Sequence, residues 1–97
     1  MRKISLDSKI GISQDALIRE IEGESVLLNL KSGIYFGLNS VGTRIWHLLQ
    51  QFQSLKKVLP VLAAEYQVGL ERCQKDLLSL IAALDQSGLV QILNDET

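Results

Sequence analysis

The side chains best equipped for chemistry in this sequence are its one histidine, His47, and its one cysteine, Cys73. Together they could form a thiolate–imidazole nucleophile, and either could ligate a metal. The surrounding pattern argues against both uses. Cys73 falls on the apolar stripe Cys73, Leu77, Leu80, Ile81 and Leu84, where a cysteine acts as a small buried hydrophobe. His47 follows Trp46 on a different predicted helix and reads as a surface residue. One His and one Cys far apart cannot supply a structural zinc site. The seven glycines are scattered over turns and helix ends and build no phosphate loop. The eleven acidic residues include no pair that an apolar pocket would single out for acid–base work. The sequence therefore points away from an enzyme and implies no metal and no cofactor.

The elements available to position a site follow from periodicity. Ala16 to Glu22, Ser25 to Leu30 and Ile34 to Leu38 read as strands separated by Gly23 and by Lys31-Ser32-Gly33. Val26, Leu28 and Leu30 share one face of the second strand. On the third, Ile34, Phe36 and Leu38 face the core, and Tyr35 and Gly37 face the other way. Two short turns in succession imply an antiparallel meander, which leaves the third strand at an edge unless a terminal segment covers it. Residues 4 to 12 and Leu89 to Leu93 are candidates for further short strands.

The rest is helical. The first helix is capped by Asn39 or Ser40 and runs to about Gln51, with Val41, Ile45, Leu48, Leu49 and Phe52 as its stripe and Trp46 beside them. The second is capped by Ser54 and buries Leu55, Val58, Leu59, Leu62 and Tyr66. Pro60 inside it costs about 3 kcal/mol, so this helix either kinks or begins properly at Pro60. The third runs from Leu70 to Gln86 and ends at Gly88. The expected fold is α+β: a three-stranded antiparallel sheet followed by three helices, winged helix-turn-helix-like, in one domain over residues 1–97 with its core at about 10–92.

Bulk properties exclude several functions. The 97 residues are 46% hydrophobic and 22% charged, with a net charge of -1, so nothing marks the chain for nucleic acid or an anionic membrane. A recognition helix needs basic side chains, but the third helix sets Arg72 and Lys75 against Glu71, Asp76 and Asp85. Lys56-Lys57 is the one adjacent basic pair within the elements and reads as a solvated face. A winged helix DNA-binding regulator is the alternative this charge pattern disfavours, and a subunit that only scaffolds an enzyme is a third reading. The apolar runs are far shorter than the about 20 residues of a membrane span. The start, Met1-Arg2-Lys3-Ile4-Ser5-Leu6-Asp7, does not read as a signal peptide. A lone cysteine fits a reducing cytosol, so a cytoplasmic location is expected.

From Leu28 to Trp46 the sequence becomes specific. Gly33, Tyr35-Phe36, Leu38-Asn39, Gly42 and Ile45-Trp46 form an ordered set that resembles the PqqD family of peptide chaperones, the RiPP recognition elements. Tyr66-Gln67-Val68, Asp76, Leu84 and Gly88-Leu89-Val90 extend the likeness over roughly residues 10 to 92. The resemblance implies a winged helix-turn-helix-like fold that binds a precursor's leader peptide as an added strand. The leader would lie antiparallel along residues 34–38, in a groove walled by the third helix. It implies two partners, a precursor peptide and a processing enzyme, either a radical SAM enzyme or the leader peptidase of a lasso-peptide pathway. The Leu-Asn-x-x-Gly-x-x-Ile-Trp form is more similar to the lasso-peptide group.

The residues themselves agree with that mode. Ile34, Tyr35, Phe36, Gly37 and Leu38 contain no proline and no charge, so nothing blocks pairing at the edge. Gly37 either lets a peptide approach closely or forms a bulge before the helix. Lys75, Leu78, Ser79 and Ala82 share a face of the third helix. Leu78 and Ala82 either floor a pocket with Lys75 at its rim or widen the core stripe. Asp76 joins the expected peptide site through the resemblance.

Overall fold

A computed structural model describes residues 4–93. Its elements are β1 (Lys9–Ile12), β2 (Ala16–Ile21), β3 (Glu24–Asn29), β4 (Tyr35–Leu38), α1 (Ser40–Phe52), α2 (Leu55–Tyr66), α3 (Leu70–Gln86) and β5 (Val90–Leu93). β2, β3 and β4 form a three-stranded antiparallel sheet in that order, and the three helices follow it, giving the expected α+β fold. A second, two-stranded sheet pairs β1 with β5, Lys9 opposite Leu93 and Ile12 opposite Val90. The two candidate terminal strands thus pair with each other, and neither covers β4.

Turn chemistry fixes the meander. Ile21 and Glu24 are cross-strand partners, and the intervening Glu22 and Gly23 have φ of 53° and 85°. Both central residues in the left-handed region make a type I′ hairpin, whose twist matches the strands. Between β3 and β4, Asn29 Oδ1 accepts from the N–H groups of Lys31 at 2.9 Å and Ser32 at 3.2 Å, and Gly33 takes the positive φ of 78°.

The core faces differ in part from the sequence reading. Val26, Leu28 and Leu30 do share a face, but it is the outer one. The inward residues of β3 are Ser25, Leu27 and Asn29. Ser25 is tolerated because its hydroxyl meets that of Thr43 on α1 at 2.7 Å. Phe36 and Leu38 pack inward as expected, whereas Ile34 precedes β4 and is about half exposed. Val41 and Tyr66, assigned above to buried stripes, are also substantially exposed. Each stands at the end of its helix's contact with the core.

The helices are placed by residues the sequence made visible. Asn39 caps α1, its Oδ1 accepting from Gly42 N–H at 2.9 Å, worth about 1 kcal/mol. A Cβ on Gly42 would stand 3.0 Å from Leu38 Cδ2, so this glycine lets α1 close on β4. Trp46, Leu48, Leu49, Leu55, Val58, Leu77, Ile81 and Leu84 fill the core. α2 does not begin at Pro60. It runs from Leu55 with Pro60 exposed, and Ser54 occupies the cap position without a side-chain cap bond. Ser54 bridges to Lys9 instead. α3 ends in a Schellman motif: Leu89 N–H donates to Leu84 C=O and Gly88 N–H to Asp85 C=O, with Gly88 at φ 72°.

Candidate functional site: an open strand edge over an apolar groove

β4 pairs with β3 on one side only. Which of its backbone groups are free follows from the ladder. Bonded and non-bonded residue pairs alternate along antiparallel strands. Asn29 N–H donates to Ile34 C=O at 2.9 Å, and this pair continues the register Leu28–Tyr35, Leu27–Phe36, Val26–Gly37, Ser25–Leu38. The alternation turns the N–H and C=O of Phe36 and Leu38 toward β3. Those of Tyr35 and Gly37 point to the open edge.

Beside this edge lies a hollow of about 400 Å³ lined by Gly37, Leu38, Asn39, Val41, Gly42, Ile45, Asp76 and Leu80. A second hollow, of about 340 Å³, shares Val41, Ile45 and Asp76 with it. It continues to Leu62, Tyr66, Val68, Arg72, Cys73 and Leu77. The shared residues make one groove, walled by the start of α1 and by α3, apolar along its floor and edged by Arg72 and Asp76.

Of the expected site residues, Gly37, Leu38 and Asp76 line this groove, Tyr35 and Phe36 belong to the same strand, and Ile34 lies just before it. Lys75, Leu78, Ser79 and Ala82 are not among its lining residues. Leu78 is two residues from both Asp76 and Leu80, so at 100° per residue it stands about 160° around α3 from each. It is half-buried against the core there, while Lys75, Ser79 and Ala82 are exposed. The sequence reading missed Val41, Leu80, Tyr66, Val68 and Arg72 as groove residues. The one usable signal was the pairing of Val41 with Ile45 and of Asp76 with Leu80, each at i, i+4 on the margin of a core stripe.

Electrostatics add no reactive group. Burial, with a further contribution from the Asp76 carboxylate, pushes the Cys73 thiol above its ordinary pKa and so keeps it protonated. His47 Nε2 is paired with the Glu20 carboxylate, which joins α1 to β2. Lys56 is held by Asp7 at 2.7 Å, so half of the Lys56-Lys57 pair is neutralised. Arg44 forks onto Glu65 at 2.6 and 2.9 Å between α1 and α2, and that hydrogen bond lowers the carboxyl's pKa. Among the described residues no group of three or more His, Cys, Asp or Glu could hold a metal, and no helix is long and apolar enough to cross a membrane.

Fold and site together define a small α+β module whose accessible feature is an unpaired strand edge above an apolar groove. The chain belongs to the PqqD family: the family model for coenzyme PQQ synthesis protein D (PqqD) matches residues 24–90. Among solved structures it is similar to TbiB1 in complex with the TbiA(beta) leader peptide. The two share 35% sequence identity at a TM-score of 0.80, over 88% of this chain and 99% of that one. A lasso peptide synthetase B1 complexed with the leader peptide has the same fold, at 24% identity and a TM-score of 0.76 over 86% of this chain and 98% of that one. No curated protein matches the chain.

Proposed function

We propose that this protein is a non-catalytic RiPP recognition element. It captures the leader segment of a precursor peptide as an added strand on β4 and presents it to a processing enzyme, most simply a leader peptidase of lasso-peptide maturation. The observation that carries this reading is the unpaired edge of β4 beside the groove, while the terminal strands pair elsewhere. The complex of the 35% identical TbiB1 with a leader peptide supports the ligand class.

In this mode the N–H and C=O of Tyr35 and Gly37 supply main-chain hydrogen bonds, and the leader's inward side chains enter the groove of Leu38, Val41, Ile45, Asp76 and Leu80. Main-chain bonds give generic affinity and the groove gives choice. The site is centred on the Leu80 face of α3, with Lys75, Leu78, Ser79 and Ala82 outside it.

Tyr35→Pro tests the mode. Proline at this position removes an N–H aimed at the open edge and leaves the β3–β4 ladder bonds in place. Calorimetric titration with the TbiA(beta) leader peptide, the ligand of the 35% identical TbiB1, should show binding to the parent chain. The folded Tyr35→Pro chain should lose at least tenfold in affinity, the cost of about 1.4 kcal/mol of main-chain bonding. Equal affinity would exclude β4 as the docking edge.

A further inference from the structure

The hollow beyond β4 is apolar on three walls: Val41 and Ile45 from α1, Leu62 and Tyr66 from α2, and Cys73 and Leu77 from α3. Its two charged residues, Arg72 and Asp76, stand one turn apart on α3. Among the described residues neither side chain makes an ion pair or a hydrogen bond, even with the other. Helix stability does not account for them. Arg72 is the third residue of α3, where the helix dipole favours an anion. A cation four residues before an anion is also the weaker order for a pair along a helix. The Asp76 carboxylate acts on the Cys73 thiol at the floor, so its charge is felt inside the hollow. The order of these charges along the groove is fixed. Leu80 lines only the hollow beside β4, Asp76 lines both, and Arg72 lines only the far one. The chain itself leads the same way, from Leu38 and Asn39 to Val41, which borders both hollows. A peptide running antiparallel to β4 therefore enters through the far hollow, past Arg72 and then Asp76.

We propose that α3 reads the charge order of the bound peptide: just N-terminal to the stretch paired with β4, an acidic side chain meets Arg72, and a basic side chain two residues later meets Asp76. This rests on the strand-addition mode above and adds a polarity to it. Edge hydrogen bonds can form with a strand of either direction, and an apolar floor accepts either. An ordered pair of opposite charges accepts one. The spacing follows from the two backbones. One helical turn of four residues separates Arg72 from Asp76 by about 6 Å along α3, and two residues of extended peptide advance about 6.6 Å and return to the same face. A docked peptide also covers both charges, so an apolar or like-charged residue in either place leaves a desolvated, unpaired charge, and such peptides are rejected.

The test is selection of a phage-displayed library of random 12-residue peptides on the full chain and on charge-reversed variants. On the parent, enriched peptides should carry aspartate or glutamate followed two residues later by lysine or arginine. Arg72→Glu should turn the first position basic and leave the second alone, and Asp76→Lys should turn the second acidic. Both side chains are exposed and unbonded, so each variant should melt as the parent does. Calorimetry on one selected peptide supplies the energetic check. Arg72→Glu should weaken its binding roughly tenfold, and changing the peptide's acidic residue to lysine should restore most of that loss on the variant while weakening binding to the parent. The same charges enriched on parent and variants, or no charge preference on the parent, would overturn the inference and leave strand addition standing. Enrichment that persists undiminished on Tyr35→Pro, or enrichment of no peptide on the parent over a blank surface, would overturn both.

Discussion

Asn29 uses both ends of its amide. Its Oδ1 accepts from Lys31 and Ser32 and so shapes the turn into β4, while its Nδ2 donates to Ser87 C=O at 2.9 Å, at the end of α3. One side chain thereby sets the start of the edge strand relative to the helix that walls the groove. Gly88 belongs to the same joint, since a Cβ there would stand 2.8 Å from Asn29 Nδ2. Asn29→Ala should cost about 2–3 kcal/mol, from bonds worth about 1 kcal/mol each. Urea unfolding would measure this, and a loss below half that value would show that the turn holds without the amide. Cys73 makes a prediction of opposite origin. Its thiol pKa is raised by burial and by Asp76, so the native state keeps a proton that the unfolded chain sheds. Stability should therefore be full below the ordinary thiol pKa of about 8.5, fall as pH rises past it, and stop falling at the native pKa. Replacing Cys73 by Ala should remove that part of the slope, which begins as pH rises through the ordinary thiol range. An unchanged slope would assign the alkaline loss to other groups.

Among the elements, β4 carries the largest functional inference from the smallest number of residues. Its alternating bonding yields a measurable pattern: amide exchange in the free protein should be fast at Tyr35 and Gly37 and slow at Phe36 and Leu38. A bound leader should then protect the first two selectively. Slow exchange at Tyr35 and Gly37 in the free chain would mean that the edge is already occupied. This strand was legible in sequence because Gly33 and Asn39 bracket it, and because an uncharged, proline-free run after two short turns has few other placements. The inward face of β3 was not legible. Its apolar alternation, Val26 and Leu28, lies outside, while the inward set includes Ser25 and Asn29. Those two are acceptable in the interior because of Thr43 and Ser87, 18 and 58 residues away, and no local pattern encodes such partners. The groove wall was hidden for a related reason. Leu80 has the spacing of a core residue, and only the distance at which α3 stands from β4 decides that it borders a groove.

At the scale of the whole molecule, the open edge depends on where the terminal strands go. A sheet of three strands with a free edge invites pairing by any extended segment, including the chain's own. Here β1 and β5 pair with each other, and Ile10, Leu89 and Val90 are buried in the same core cluster as the helices. This arrangement holds the terminal strands away from β4 without using the edge. Shortening the chain to end at Leu89 would remove that restraint and the burial of Val90 and Ile92. The lost apolar burial, together with exposure of Ile10, should lower stability by about 3–5 kcal/mol, a large share of the total for a chain this size. The shortened chain should still bind leader peptide in its folded fraction at low temperature, because no residue of β5 lines the groove. Urea titration of both chains, followed by calorimetry on the folded fraction, separates the two effects. A stable shortened chain with weakened binding would mean that β5 shapes the peptide site, and that the terminal sheet serves recognition as well as folding.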